Sequence, residues 1–179
     1  RDGIGAPLQH LTFSPRFDGN YEIRIRRDLA FTQSHTLTLF AIGEDVALTA
    51  HVTPESSLGL PGDAQSVLTV GAANVTTGHL VPYSSRGPTA DGRIKPDLSS
   101  YSYVSVASPD YGPYGFGGTS AAAPHVAGMA ALLLSLPNQG GVSVEELETQ
   151  LTVFAVDRGL PGADTLWGAG IAQLPPLKV

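Results

Sequence analysis

The most informative stretch of this sequence joins a glycine pair, a hydroxyl pair and an apolar run, Gly117-Gly118-Thr119-Ser120-Ala121-Ala122-Ala123-Pro124-His125-Val126-Ala127-Gly128. Two glycines let the backbone turn tightly, and the alanines, valine, methionine and leucines that continue to position 135 have the composition of a buried helix. The pattern places Ser120 near a helix N-terminus, where unpaired N–H groups can stabilise an oxyanion. Ser120 is therefore a candidate nucleophile. On residues 117–120 alone, a simple cap on an apolar core helix is the favoured alternative.

The composition is that of a soluble globular protein rich in turns. Of the 179 residues, 42% are hydrophobic and 15% charged, while 21 glycines and 14 prolines favour turns over long helices. A net charge of −6 with only ten Lys and Arg argues against a nucleic-acid partner. No apolar run is long enough to span a membrane, so no membrane partner is expected. The absence of cysteine excludes disulfides.

The first third of the chain has the alternation of apolar and polar residues that is typical of β-strands. Three runs show it, at residues 21–26, 36–41 and 46–52, and glycine-containing turns separate them. We predict a small antiparallel β module over residues 1–59, an accessory module or insertion without a catalytic pattern. A junction rich in proline and glycine at 58–64 places the start of a second domain, 60–179, near residue 60.

The second part of the chain alternates strand, loop and helix signals. Residues 66–72 form a short apolar run that suits a buried strand, and the turn-dense segment 81–98 looks like a surface loop. A helix is predicted over 119–136, ended by the Pro- and Gly-containing residues 137–141. Ser143 and Glu146 then form the sequence pattern of a capping box, which predicts a second helix.

Several motifs together resemble the subtilisin-like serine peptidases, peptidase family S8. Residues 118–128 resemble the nucleophile motif, residues 84–88 and 95–97 match a Ser-Ser-Arg-Gly-Pro turn and a Lys-Pro-Asp segment, and the glycine-rich tail resembles the family's ending. One departure lies after Asp97, where Leu98 and Ser99 replace the usual Ala-Pro-Gly. The resemblance covers about residues 60–172. It implies an α/β fold: the C-terminal portion of a three-layer catalytic domain with a parallel sheet.

The resemblance also implies roles for individual residues. Ser120 would be the nucleophile and would donate its N–H to the oxyanion, with Gly118 and Thr119 setting the turn. Tyr114, Gly115, Phe116 and Gly117 would contact a polypeptide substrate, with core packing as the alternative for Phe116. Secretion or an extracytoplasmic location is implied by the family alone.

The other catalytic groups of the family have no match in the sequence. Motifs resembling Asp-Thr-Gly and His-Gly-Thr-His, and the Gly-Asn pair of the oxyanion hole, are absent from the 179 residues. None of the histidines at positions 10, 35, 51 and 79 lies in glycine-rich surroundings, and His125 matches a family residue that is not the base. In subtilisin, loss of the serine or histidine lowers turnover by about a million-fold. We therefore expect this chain to be inactive alone and an upstream region of a parent peptidase to supply Asp, His and Asn.

Two alternatives concern function and assembly. A catalytically inactive fragment or homologue used for binding or assembly is the rival to the peptidase. Half of such a fold would leave apolar surface uncovered, which predicts a homodimer or a tightly held partner segment, unless the module at residues 1–58 covers that surface. Asp157 and Asp164 could offer oxygen atoms to Ca²⁺, but two carboxylates in a turn-rich tail usually cap turns, so no metal or cofactor is expected.

Overall fold

A computed structural model describes residues 11–26, 37–43, 46–113, 115–136 and 142–176. The chain divides into two units, Arg1–Ala47 and Leu48–Val179. The boundary that we predict near residue 60 falls inside the second unit and stays a prediction.

The antiparallel β module predicted for residues 1–59 is wrong for the residues that are described there. Segments 11–26, 37–43 and 46–59 contain no strand, and the remaining positions of the predicted runs lie outside the described residues. Apolar side chains of the alternating runs are exposed, among them Ile23 at 55% and Val52 at 61%. An alternating pattern forms a strand only where a partner supplies backbone hydrogen bonds and a surface covers the apolar face. Among the described residues, no partner strand pairs with these segments.

Two parallel strands form the sheet of the second unit. Strand β1, Val70–Asn74, pairs with β2, Leu98–Ser102, in a register that aligns Val70 with Leu98 and Asn74 with Ser102. The predicted strand at 66–72 is thus found slightly later in the chain, and β2 was not predicted. Residues 170–172 extend the ladder beyond β2, because Ser99 N–H donates to the Gly170 carbonyl at 2.8 Å and the Ala172 N–H to the Ser99 carbonyl at 2.7 Å.

Both predicted helices are confirmed. Helix α1 runs over Thr119–Ser135 and α2 over Val144–Val153, with a short 3-10 turn at Pro109–Tyr111 before α1. The capping box is present: Glu146 N–H donates to Ser143 Oγ at 3.2 Å and Ser143 N–H to Glu146 Oε2 at 2.8 Å. The predicted break at residues 137–141 lies outside the described residues.

The core lies between α1, α2 and the sheet. Helix α1 contacts both strands and α2. One buried cluster joins β2, both helices and the C-terminal tail, with Val70 of β1 packed against it; its members are Leu98, Val126, Leu133, Leu151 and Ala172. A smaller cluster lies at the start of α1 and consists of Ala72, Val81 and Ala122. The α/β class is confirmed. The first turn of α1 lies at the carboxyl end of β2, the edge of a parallel sheet where ligands usually bind.

The segment 81–98 is more buried than a surface loop. Lys95 has a side chain only 5% exposed, and its Nζ donates to Asp97 Oδ2 at 2.5 Å and to the Val67 carbonyl at 2.6 Å. Asp97 Oδ2 also accepts the Thr69 N–H at 2.6 Å. A polar segment can enter the interior when its charges are paired and hydrogen-bonded in this way, so its polarity was a misleading signal.

Candidate active site

Ser120 lies where the sequence predicts, in the first turn of α1. It is the second residue of the helix and is exposed. No acceptor for the N–H groups of Thr119 and Ser120 is found among the described residues. These donors and the positive end of the helix dipole lie beside the hydroxyl, so the turn can stabilise negative charge that develops there.

The turn before Ser120 depends on Gly118. This residue is the N-cap of α1 and has φ 98° and ψ 166°, a conformation that residues with a side chain rarely adopt. Gly118 has no side chain to cap the helix. Its carbonyl instead accepts the Ala121 N–H at 3.0 Å, which closes the first turn around Ser120.

Two hydroxyl groups hold the amide of Gly118. Its N–H donates to Ser102 Oγ at 2.9 Å and to the Tyr83 hydroxyl at 3.0 Å, and these two oxygens are 2.7 Å apart. Ser102 is the last residue of β2 and is fully buried. The turn Gly117–Ser120, called the nucleophile turn after its candidate nucleophile Ser120, is thereby tied to the sheet through two polar side chains.

The ring of Tyr103 lies against the same turn. A Cβ atom at Gly117 would come within 3.2 Å of Tyr103 Cε1, so the ring occupies the space that a side chain at 117 would need. The rings of Tyr83 and Tyr103 are 6.3 Å apart, centroid to centroid. Burial raises the pKa of the Tyr83 hydroxyl, but its hydrogen bonds with Ser102 and Gly118 and the nearby Tyr103 hydroxyl outweigh burial and hold that pKa below its usual value. The neighbouring Tyr83 hydroxyl raises the pKa of Tyr103.

The residues predicted to contact substrate fall partly beside the turn. The backbone of Phe116 pairs with Val104, donating at 2.8 Å and accepting at 3.1 Å, and its ring packs 4.7 Å from that of Tyr111. Phe116 is half-buried, so its side chain packs in part as the alternative reading predicted. Tyr114 lies outside the described residues.

A cleft of about 490 Å³ opens at the carboxyl ends of β1 and β2. Its volume is in the range of small-molecule and side-chain sites. The lining includes the predicted substrate residue Gly115, and none of the lining residues carries a formal charge; those that define its walls are Asn74, Thr76, Tyr103, Ser105, Val106 and Gly115. Because Tyr103 also packs on Gly117, the cleft and the nucleophile turn share a wall.

No general base for Ser120 is found among the described residues. Ser120 Oγ has no hydrogen-bond partner in that part of the chain, and His125 Nδ1 lies 2.8 Å from the carbonyl of Ala121 on its own helix. His51 and His79 make no side-chain hydrogen bond there either, while His10 and His35 lie outside the described residues.

The two candidate calcium ligands cap turns. Asp157 Oδ2 accepts the Gly162 N–H at 2.8 Å, and Asp164 Oδ1 accepts the N–H groups of Leu166 and Trp167 at 2.8 and 2.7 Å. Within the described ranges, no group of three or more acidic, His or Cys residues is arranged to hold a metal ion. Asp157 thus uses one carboxylate oxygen, and Asp164 both, in hydrogen bonds with the backbone of the tail.

The combination of a helix-terminal serine, a tight glycine turn and a parallel sheet is matched by a known family. Residues 18–170 match the model of the subtilase family, peptidase family S8. This chain belongs to the subtilase family. Family membership supports a protease function.

Individual relatives agree with the family match. The subtilase chain is 34% identical to the subtilisin-like protease SBT6.1 of Arabidopsis thaliana, over 59% of this chain and 10% of that protein. It is 32% identical to the minor extracellular protease Vpr of Bacillus subtilis, over 53% of this chain and 12% of that protein. The solved CspB protease of Clostridium perfringens is 28% identical with a TM-score of 0.58, over 67% of this chain and 28% of that one. The chain therefore spans about a tenth of the length of the two curated relatives.

In the described ranges, no helix of the subtilase chain is long and apolar enough to cross a membrane.

Sequence reasoning missed Tyr83 and Ser102. Both contact the nucleophile turn from distant positions, 35 and 16 residues before Gly118. One signal was present, because Ser102 lies in the segment after Leu98 where the sequence departs from the family pattern. A departure that places a hydroxyl at the end of a strand is a reason to look for a new contact there.

Proposed function

We propose that this subtilase chain carries the nucleophile of a serine endopeptidase that forms an acyl-enzyme on Ser120. The observation that supports this most strongly is the position of Ser120: exposed, in the first turn of α1, beside N–H groups that have no acceptor in the described part of the chain. A buried structural serine would instead have its hydroxyl satisfied by the surrounding protein.

The reaction would proceed by acyl transfer. Ser120 Oγ attacks the scissile carbonyl carbon while its proton passes to a histidine. The carbonyl oxygen becomes an oxyanion that accepts a hydrogen bond from the Ser120 N–H. The C–N bond then breaks and the leaving amine takes the proton from the histidine. Water attacks the ester by the same route and releases Ser120.

We further propose that the Asp, the His and the oxyanion Asn come from a region of the parent protein outside this chain. Three observations support this: the motifs are absent from the sequence, Ser120 Oγ has no base among the described residues, and the chain covers 10% and 12% of two relatives. The isolated chain would then turn over substrate at a rate near background.

The outer face of α1 supports a tightly held partner. The helix is apolar on every side, and its outward residue Leu134 is 49% exposed, while Leu132 on its flank is 57% exposed. A helix that is hydrophobic all round is normally covered all round. We propose that the upstream region of the parent protein covers this face, with a homodimer of the isolated chain as the outcome when that region is missing.

The substrate would be a polypeptide, with Tyr114–Gly117 beside it and one of its side chains in the cleft. The uncharged lining favours a neutral side chain, because an unpaired charge would lose its hydration there. An extracytoplasmic location is proposed from the family and from the extracellular relative in Bacillus subtilis.

Peptide hydrolysis by the complete protein that carries this sequence tests the proposal. Ser120→Ala is expected to lower kcat by about a million-fold, as loss of the nucleophile does in subtilisin. Ser135→Ala at the opposite end of α1 is the matched control and should retain wild-type kcat. Equal activity of the Ser120→Ala and wild-type proteins would refute the proposal.

The rival proposal is an inactive homologue that keeps the fold for binding or assembly. The lack of a base near Ser120 in the described residues favours it. A complete protein that binds peptides but shows no turnover in wild-type form would support it against the peptidase.

A further inference from the structure

We propose that the hydroxyl groups of Tyr83 and Ser102, here called the hydroxyl clamp, position the nucleophile turn by holding the backbone N–H of Gly118. The inference rests on the proposed function, because the orientation of this turn matters for reaction only if Ser120 is the nucleophile. Neither clamp residue touches the reacting atoms. Both are positioning residues that act through Gly118.

The geometry of the clamp is a triangle of polar atoms. The Gly118 nitrogen lies 2.9 Å from Ser102 Oγ and 3.0 Å from the Tyr83 hydroxyl, and the two oxygens lie 2.7 Å from each other. The N–H of Gly118 is thereby committed to the protein. The Ser120 N–H, two residues later, has no acceptor among the described residues and stays available for an oxyanion.

Each hydroxyl of the clamp is fixed to the sheet. Ser102 ends β2, opposite Asn74, and its carbonyl accepts the Val75 N–H at 3.1 Å. The segment that carries Tyr83 is held at Ala72 of β1. The Val81 N–H donates to the Ala72 carbonyl at 3.1 Å, and the Ala72 N–H donates to Ser84 Oγ at 3.0 Å on the other side of Tyr83. The sheet therefore sets the positions of both oxygens.

The chemistry of Ser102 serves this contact specifically. The residue is fully buried, and in the described part of the chain its hydroxyl bonds with Tyr83 and Gly118 alone. The lowered pKa of Tyr83 fits an oxygen that is well supplied with donors. Because two oxygens accept one N–H, either of them can hold the amide when the other is removed.

The test compares variants of the complete protein that carries this sequence. Tyr83→Phe and Ser102→Ala each remove one hydroxyl, and the double variant removes both. Tyr101→Phe is the matched control, since Tyr101 lies on β2 and has no hydrogen bond with the turn among the described residues. The readouts are kcat and KM for a peptide, the rate of Ser120 labelling by a fluorophosphonate, and hydrogen exchange of the Gly118 amide.

The double variant is expected to lose between about 10-fold and 100-fold in kcat and in labelling rate, because a small misplacement of a reacting group costs up to about 100-fold. KM should be unchanged, and the Gly118 amide should exchange about twofold to tenfold faster, as expected for a lost hydrogen bond. For each single variant, the logarithm of the fold-loss in kcat and in labelling rate should be much less than half of that of the double variant. Tyr101→Phe should match wild type.

Other outcomes overturn the clamp. Wild-type kcat and Gly118 exchange in the double variant would do so, as would a rise in KM at constant kcat, or an equal loss in Tyr101→Phe. Exchange at Leu151 in α2 is the folding control: if Leu151 and Gly118 accelerate together, the hydroxyls stabilise the fold in general and the positioning role is refuted. If wild-type protein fails to label at Ser120, the proposed function fails, and faster Gly118 exchange alone then decides whether the clamp holds the turn.

Discussion

Truncation of Leu133 tests the packing that holds α1 in place. Leu133 is 1% exposed and packs with Leu98 and Leu151 in the main core, whereas its neighbour Leu134 is 49% exposed. Leu133→Ala should lower the free energy of unfolding of this chain by about 3 kcal/mol, from lost burial and the cavity left behind. Leu134→Ala, the matched control, should cost about 1 kcal/mol at concentrations where the chain is monomeric, since half of the side chain then contacts water.

Urea unfolding followed by the fluorescence of Trp167, the single tryptophan, measures both variants. Equal losses in Leu133→Ala and Leu134→Ala would refute the assignment of the buried face. The same pair in the complete protein probes the proposed partner region. If that region covers the outer face of α1, the cost of Leu134→Ala rises toward about 3 kcal/mol; an unchanged cost contradicts coverage of this face.

Three further predictions concern local structure. Gly118→Ala should destabilise the chain by about 1–2 kcal/mol, because Gly118 has φ 98°. Gly128→Ala should stabilise it by about 0.5–1 kcal/mol, because a Cβ at Gly128 meets nothing within 4 Å. Urea unfolding measures both variants, and equal effects would contradict the strain at Gly118. Ser143→Ala should cost about 1 kcal/mol and reduce helicity in circular dichroism, and unchanged helicity would argue against the capping box. Hydrogen bonds from Arg93 and then Thr89 lower the pKa of Asp91 to about 2. Asp91 therefore stabilises the fold fully above its ordinary pKa of about 3.9, and this contribution is lost as the pH falls through about 2. An NMR titration midpoint of Asp91 near about 3.9 would contradict the contact.

The helices and the nucleophile turn could be predicted because their signals are local. The capping box needs only Ser143 and Glu146, three residues apart, and the glycine pair before Ser120 specifies the turn within four residues. Helix α1 is also apolar over its whole length, which fixes its type without knowledge of its partners.

The strands could not be predicted in the same way, because they depend on partners distant in sequence. Strand β2 contains three serines in five residues, and it forms because β1 and residues 170–172 supply hydrogen bonds on both sides. Conversely, residues 21–26 alternate as a strand should but remain irregular with exposed apolar side chains. Tertiary context decides both cases.

The candidate site divides along the same line. Ser120 and its turn are visible in the sequence, whereas the hydroxyl clamp brings Tyr83 and Ser102 together from separate segments. A contact of this kind has no local signature, since any exposed tyrosine or strand serine has the same appearance in a sequence.

Labelling of the complete protein by a fluorophosphonate, read by mass spectrometry of its peptides, tests the central claim most directly. We expect one covalent adduct, on Ser120, which is absent from Ser120→Ala and present at wild-type level in Ser135→Ala. The probe reports on the nucleophile itself and requires no knowledge of the substrate. An unlabelled wild-type protein, or an adduct on a different serine, would contradict the assignment of Ser120 as the nucleophile.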